Sequence, residues 1–563
     1  MCNLYRQYPF IEIIDIIIRM QIPKTEEIHK ATMLGIGGED VYYITRFLKC
    51  LNKDIIGFDI KKNDRTKYLE GIGIEIYYKN PEGKLSDTEI VIYSDSLPDY
   101  VIKKIEEQNK TVPFIEVGRY KREIFSLLQS SQLSKEEDIA VKKSGLFPLI
   151  NRDFGGMKLV GVTGTDGKTS VVSMISHMLT KLGYKPGVIS TVGMSIGESK
   201  KDIGFHVTTP SSHSILKSLN LMKKRGCTHA VIECTSQGLY MGRVAGLKFD
   251  TVVYTNITRE HLGYHKTWIK YAEAKSLLIR ENLKEGGYAI LNRDDKKGFK
   301  YINKYAKKKL IYSTTNLNRN ADTLSAENIK ESLTGLSFNI KNSKVFIPVL
   351  GKYNVSNALA AILALKSFGI EEGMSASLLG DFSPVEGRMN IIQERPFRVI
   401  VDFAHTPNGL LNALKTVKKI TNKSKRIILV FGCAAKRDEY KRPVMGKYAK
   451  EYADITILTA EDCRTESLKE INNQIGKGWR SVNTKEERML FRFDNDNENV
   501  KVRRRAIKKA ISLAKDGDTI LITGKGHEKS LCFGLKEYNW NEIEEVQRLL
   551  GHIKIGRTYT SGT

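Results

Sequence analysis

The chain of 563 residues has little that would mark an exported, membrane-spanning or metal-clipped protein. Its seven cysteines, at positions 2, 50, 227, 234, 433, 463 and 532, form no CxxC pair and no metal-ligand spacing. A disulfide framework and a zinc module are therefore set aside, and a cytoplasmic location is expected. Long hydrophobic runs are missing too. The stretch "FIEIIDIII" near the amino terminus is broken by Glu12 and Asp15 and falls well short of the ~20 apolar residues a membrane span needs. Neither a signal peptide nor membrane insertion is expected. There is no internal repeat, and the only low-complexity tract is the polar tail "GRTYTSGT". Negative charge is in deficit, with 64 Asp and Glu against 90 Lys and Arg, a net +26. The cations are spread through the chain, without an arginine-rich tail or an aromatic stacking motif. A solvated lysine-rich surface or a basic cleft for a phosphorylated substrate explains them better than nucleic acid, which is not expected as a partner.

What is present is a threefold alternation of strand and helix patterns. "ATMLGIGG", "DIIGFDI", "GIEIYY", "EIVIYSD" and "VPFIEVG" read as strands of a first α/β block, and "SGLFPLINRDFGG" at 144–156 reads as a linker. A second block runs from Lys158 to about Asp381. A third contains "FRVIVDF", "RIILVFG", "ITILTA" and "TILITG". Such alternation predicts parallel α/β sheets.

The second block opens with "GVTGTDGKTS", a strand end, a glycine turn and a helix start. Gly164 and Gly167 let backbone amides turn around an anion, Lys168 adds a point charge, and a hydroxyl of Thr169 suits magnesium. The turn is two residues shorter than the full G-x-x-x-x-G-K-[ST] pattern counted from Gly164, and one longer counted from Gly161. It reads as an ATP site, with magnesium as the accompanying ion. "THAVIECTSQGL" reads as a strand ending on Glu233, where a carboxylate would face the crevice of an open sheet and serve as a metal ligand. The following strand leads into a loop with Asn256, His261 and His265. In "TWIKYAEAKSLLI", Lys275 shares a helical stripe with Trp268, Tyr271, Ala272, Leu278 and Ile279. Two readings stand for a lysine so placed. Its stem packs while the ammonium escapes to water, or the buried amine takes up carbon dioxide to become a carbamate that ligates a metal.

Taken in order, "GVTGTDGKTS", "TTP" at 208–210, "ECTSQGLYMGRV", "YTN", "REHLGYH", "YAEAK", "LGKYNVSNALAA", "EGRMN", "VDFAHTP", "VFGCAAKRDEYKRPVMG" and "GKGHE" resemble the motifs of the Mur ligases, ATP-dependent amide-forming enzymes of peptidoglycan synthesis. The likeness is to the branch that forms the tripeptide. It implies three domains: a Rossmann-like amino-terminal domain over 1–145, a central P-loop ATPase-like domain with a parallel sheet over 146–384, and a Rossmann-like carboxy-terminal domain over 385–563. It also implies residue roles. Gly164, Thr165, Gly167, Lys168, Thr169 and Ser170 would hold ATP phosphates, with Asn256, Arg388, Asp402 and His405 looking after the nucleotide. Thr169, Glu233, His261 and carbamylated Lys275 would hold magnesium, and Lys168, Glu233, His261 and Lys275 would be catalytic. Thr208, Thr209, Thr235 and Arg243 would meet a UDP-N-acetylmuramoyl dipeptide. Arg437, Asp462, Arg464, Gly524 and Glu528 would take a diamino acid. The implied chemistry is an acyl phosphate displaced by an amine, in a monomeric enzyme.

Several positions depart from the family pattern. Where relatives that use meso-diaminopimelate carry Asp-Asn-Pro-Arg, this chain has Glu461, Asp462, Cys463 and Arg464. Arg464 keeps diaminopimelate favoured over lysine, because a guanidinium grips a carboxylate bidentately; pairing of Arg464 with Glu461 or Asp462 is the competing reading. Glu260 and Gly263 replace aspartates, and Thr235 replaces a serine. The amino-terminal block, with Gly35, Gly37, Gly38 and Asp59, resembles the first domain of the alanine-adding member instead. The glycine expected further into its helix is missing, since Glu39, Asp40 and Val41 follow, so diphosphate binding and plain packing both stand for that loop. Rival readings are a ligase for another muramoyl substrate, such as alanine addition, a nucleic-acid-binding ATPase, and an inactive partner protein.

Overall fold

The computed structural model describes residues 23–551 apart from 84, 86, 95–96, 98, 151, 198, 202–207, 316–319, 436–437, 485 and 535. The chain forms two compact units: Met1–Gly156 with Thr209–Lys223 and Cys234–Lys248, and Met157–Thr208 with Lys224–Glu233 and Phe249–Thr563.

In the first unit, β1 (Lys30–Leu34), β2 (Asp54–Phe58), β3 (Glu75–Tyr77), β4 (Ile90–Tyr93) and β5 (Phe114–Glu116) form a parallel sheet in the order β3-β2-β1-β4-β5. This is the Rossmann-type strand order, with the sense of winding switching between β1 and β4. All five strands fall on the runs read from the sequence. Helices Glu39–Cys50 and Val117–Gln129 turn their apolar stripes inward, burying Ile44, Phe47, Leu48, Tyr120 and Ile124.

Among the described residues, the second unit holds two large sheets and a two-stranded one. The larger comprises β6 (Lys158–Thr163), β7 (Pro186–Ser190), β8 (Gly193–Ile196), β9 (Ser199–Lys201), β10 (His229–Glu233), β11 (Phe249–Tyr254), β12 (Leu283–Asn292), β13 (Lys309–Ser313), β14 (Thr323–Ser332), β15 (Gly335–Ile340) and β16 (Ser343–Ile347). Their order is β16-β15-β14-β13-β12-β11-β6-β10-β7-β8-β9. The expected parallel sheet is present from β14 to β7, but antiparallel hairpins extend it at both edges, so the sheet is mixed. The cause is burial. Strands β6, β7 and β10 are buried along nearly their whole length and read as continuous apolar runs, whereas β14 and β16 alternate buried with exposed residues, as suits an edge wetted on one face. Helices Lys168–Lys181 and Tyr353–Lys366 share one core with this sheet. The second is buried almost all round, because its many alanines allow close approach.

The smaller sheet is β17 (Asn390–Gln393), β18 (Arg398–Asp402), β19 (Ile427–Phe431), β20 (Ile455–Leu458), β21 (Met489–Arg492) and β22 (Thr519–Thr523), in the order β17-β18-β22-β19-β20-β21. All neighbours are parallel except β17 with β18. A hairpin of β23 (Ser530–Phe533) and β24 (Lys536–Asn539) follows. Among the described residues, no helix is long and apolar enough to cross a membrane. Leu359, wholly buried in the helix Tyr353–Lys366, should report on this core. Leu359→Ala is expected to cost about 2–5 kcal/mol by denaturant unfolding.

Candidate functional site

Every loop of interest in the second unit leaves the carboxyl end of a parallel strand, where side chains and helix N-termini converge on open space. The glycine turn after β6 is forced by its surroundings. Gly164 has φ +152°, and a Cβ there would lie 1.8 Å from Thr255 Oγ1; one on Gly167, at φ +88°, would lie 2.4 Å from Asn357 Oδ1. Only glycine fits such positions. Asn256 clasps the turn from β11, accepting from Asp166 N (3.1 Å) and donating to Asp166 O (3.1 Å), while its own carbonyl accepts from Thr165 N (2.7 Å). The Thr165 hydroxyl is engaged with Tyr271 Oη (3.0 Å) and accepts from Thr258 N (3.0 Å). Gly167 caps the helix that carries Lys168, Thr169 and Ser170 in its first turn.

Cations crowd this turn. Lys168 Nζ donates to the carbonyls of Gly164 (3.2 Å) and Thr165 (2.9 Å). Burial lowers its pKa, with Glu233 and Asp166 opposing. Lys275 is 1% exposed and its Nζ donates to Gly164 O (2.7 Å), 4.7 Å from the centre of the Tyr271 ring. The snorkelling reading of Lys275 is thereby excluded. Arg388 donates to Thr169 Oγ1 (3.3 Å) and lies over the Phe403 ring. Glu233, fully buried at the end of β10, accepts from the Thr191 hydroxyl (3.0 Å), which also contacts Thr208 (3.1 Å). His261 sits at φ +57°, and burial holds its imidazole well below the ordinary pKa, with Lys275 and Lys168 adding to the effect. It is neutral at physiological pH. Asp402 accepts from Met389 N and Ala404 N (both 2.8 Å), and His405 contacts Phe403 O (3.0 Å). Among the described residues, no three His, Cys, Asp or Glu side chains converge as a metal cage. The oxygen donors near the turn, Thr169 and Glu233, suit an ion that takes most of its ligands from phosphate and water.

Several residues that the motifs did not single out join this site. Asp166 accepts from Thr406 Oγ1 (3.1 Å) and Asn408 Nδ2 (2.8 Å), tying the glycine turn to the helix Pro407–Ile420. Lys441 donates to His405 O (2.8 Å) and lies 3.5 Å from Glu260. Burial works against its charge, yet Glu260 and Glu461 hold its pKa above the ordinary value. A Cβ on Gly263 would stand 3.3 Å from Asp438 N, so the glycine that replaces a family aspartate leaves room there for the loop after β19.

The loops after β20 and β22 face each other. Asp462 accepts from Lys525 Nζ and from Cys532 N (both 3.0 Å), and Lys525 reaches Glu528 (2.5 Å). Glu461 is 5% exposed and its Oε2 has no hydrogen-bond partner; it would stand 3.2 Å from a Cβ on Gly524. Burial pushes its carboxyl up to about 7, against the pull of Lys441 and Lys525. Arg464 is exposed, at φ +46°; burial works against the Asp462 charge, yet Lys525 and, beside it, Arg464 hold that carboxyl below its ordinary pKa, so pairing with Asp462 stands as the competing reading. Arg437 lies outside the described residues.

In the first unit, Thr209 Oγ1 contacts Thr235 Oγ1 (3.0 Å) and accepts from Thr235 N (2.9 Å), while Arg243 donates to Thr209 O (2.9 Å). These three of the residues expected to meet the peptide substrate are thus assembled. The amino-terminal glycine loop is occupied by its own chain. Gly37 N donates to Asp59 Oδ2 (2.8 Å), Gly35 N to Phe58 O (2.8 Å) and Gly38 N to Gly35 O (2.9 Å), with Glu39 and Asp40 in the first helical turn. Packing is the reading that this geometry favours over diphosphate binding.

Models of two families match the chain: the Mur ligase middle domain over residues 162–365, and the Mur ligase glutamate ligase domain over 387–526. A UDP-N-acetylmuramoyl-L-alanyl-D-glutamate--2,6-diaminopimelate ligase 1 of Clostridium acetobutylicum is 36% identical over 403 residues, 70% of this chain and 78% of its own. The chain is a Mur ligase. It belongs with ATP-dependent, ADP-forming amide ligases. Another member, the UDP-N-acetylmuramoyl-L-alanyl-D-glutamate--2,6-diaminopimelate ligase of Cytophaga hutchinsonii, is 37% identical over 373 residues, 66% of this chain and 73% of its own. Among solved structures, a pseudomurein peptide ligase type C from Methanothermus fervidus shares the fold at TM-score 0.51 and 18% identity, covering 93% of this chain and all of its own.

The Glu461 carboxyl gives this Mur ligase a pH signature. Its folded pKa lies above its unfolded one, so the unfolded chain loses the proton first, and stability falls as pH rises from about 4.5 to about 7 and is level above. The slope is worth on the order of 3 kcal/mol. Urea unfolding across that window should show Glu461→Gln without this part of the slope.

Proposed function

We propose that this Mur ligase joins a diamino acid, meso-diaminopimelate, to the terminal carboxylate of UDP-N-acetylmuramoyl-L-Ala-D-Glu, with ATP converted to ADP and phosphate. The observation that carries the reading is the packing of Lys275 against the glycine turn beside Lys168. The carboxylate oxygen attacks the γ-phosphorus and ADP leaves; the amine then attacks the acyl carbon, phosphate leaves and the amine gives up a proton. Three anionic groups must approach one another, and their repulsion sets the design. Lys168 and the amides of Gly164–Ser170 meet the phosphates, while Asn256, Arg388, Asp402 and His405 surround the nucleotide. Thr169, Glu233, His261 and a carbamate on Lys275 would hold magnesium, which neutralises phosphate charge when bound. Neutral His261 suits a ligand role, and the buried Lys275 amine suits carbamylation.

Thr208, Thr209, Thr235 and Arg243 are assigned to the muramoyl peptide. Arg437, Asp462, Arg464, Gly524 and Glu528 are assigned to the amino acid, whose distal carboxylate the exposed guanidinium of Arg464 would grip. The three-domain division 1–145, 146–384 and 385–563 is kept as part of this reading, with the five-stranded, eleven-stranded and six-stranded sheets in successive spans. A second reading, addition of L-alanine to the bare UDP-sugar acid, draws on the β3-β2-β1-β4-β5 order of the amino-terminal sheet. One experiment separates the two. Purified protein with ATP and magnesium is given UDP-muramoyl dipeptide with meso-diaminopimelate, L-lysine or other diamino acids, and UDP-muramate with L-alanine; product mass and phosphate release are read. Product with diaminopimelate is expected, product only with alanine favours the second reading, and no product with any dibasic amino acid overturns the first.

Lys275→Arg, which cannot form a carbamate, is expected to lose turnover by about 100-fold or more. Native mass spectrometry of the wild type should find the mass of one added carbon dioxide that the variant lacks.

A further inference from the structure

Arg503 sits in the middle of the carboxy-terminal core, 0% exposed, on the inner face of the helix Val500–Leu513. A guanidinium there must spend its donors well, since each one left unpaired in the interior is costly. Its Nη1 donates to Ala460 O (2.7 Å) and its Nη2 to Thr523 O (2.8 Å). Its Nε and Nη2 hold the carboxylate of Glu542, which is also 0% exposed. Trp540 Nε1 donates to the same carboxylate (2.6 Å).

The two carbonyls are not neighbours in the sheet. Thr523 ends β22 and Ala460 follows β20, and β19 lies between those strands. Their ends are therefore two strand spacings apart, about 9–10 Å. No ladder hydrogen bond links them, and Arg503 does. The residues just beyond the clamped carbonyls are Glu461 to Arg464 on one side and Gly524 to Glu528 on the other. Asp462 and Lys525 complete the bridge at the rim.

We infer that Arg503 is a positioning residue that sets the separation of the two loops receiving the incoming amino acid. This rests on the assignment of those loops to the amino acid under the proposed function. A buried ion pair needs further acceptors for its remaining donors, and this one draws them from the ends of two strands that no ladder joins. Here the cation is shared between that partner and both strand ends, so moving it changes the geometry of the loops as well as the core.

The test uses Arg503→Lys, which keeps the charge and loses the fork, and Trp540→Phe, a milder change that loosens only the Glu542 anchor and serves if the first variant folds poorly. With whichever amino acid the wild type ligates, KM for that amino acid should rise about tenfold in Arg503→Lys and by less in Trp540→Phe, while KM for ATP and for the muramoyl peptide stays within about twofold. Hydrogen exchange should speed up at Glu461–Arg464 and Gly524–Glu528 in both variants, a readout independent of turnover and of which amino acid is used. A lowered Tm with all three KM values unchanged, equal rises in all three, or exchange spread evenly over the sheet would overturn the inference. If the wild type ligates no amino acid, the proposed function fails, whereas the exchange pattern still decides whether Arg503 sets these loops.

Discussion

A buried lysine held against a backbone carbonyl is the constraint on which the rest of this molecule turns. A side chain that is 1% exposed has lost its water, and Lys275 meets Gly164 O and the face of Tyr271 instead. The turn it touches must be glycine, because Thr255 and Asn357 fill the space a side chain would need. From this follows the concentration of positive charge at one strand end. Lys168 and Arg388 share a low-dielectric crevice with the carboxylates of Glu233 and Asp166, which offset the mutual repulsion of the two cations. A site of this kind is poised toward phosphate and carboxylate together, the pair that an acyl phosphate requires.

A second charge arrangement, of mixed sign, occupies the carboxy-terminal sheet. Glu260 and Lys441 meet at 3.5 Å, Lys441 also acts on Glu461, and Asp462 meets Lys525. Burial raises the Glu260 and Glu461 carboxyls, while the lysines beside them pull the other way.

Much of this is legible in the sequence where a signal is local. The five amino-terminal strands and β18, β19, β20 and β22 are apolar runs that stand out from their flanks, and the helical stripe through Tyr271 and Leu278 is enough to put Lys275 on a buried face. The antiparallel edges β14 to β16 escape because "TLSAENIKES" is polar at alternate positions and its pairing partners are set by hairpin register. The same limit applies to the site. Asp166 can be seen in the motif, but its partners Thr406 and Asn408 lie 240 or more residues away. Thr191, which holds Glu233, carries no pattern at all. The amino-terminal loop shows the same limit: its glycines leave diphosphate binding and packing both open, and the Gly37 amide donates to Asp59, 22 residues away.

The Glu542 carboxylate that anchors Arg503 comes from the first turn of the helix Glu542–Leu549, near the end of the described chain. That closing segment is thus mechanically wired to the ends of two strands in the middle of the sheet. Trimming it, or crowding it with a bulky tag, would reach through Glu542 and Arg503 to the carbonyls of Ala460 and Thr523, far from the segment itself along the chain.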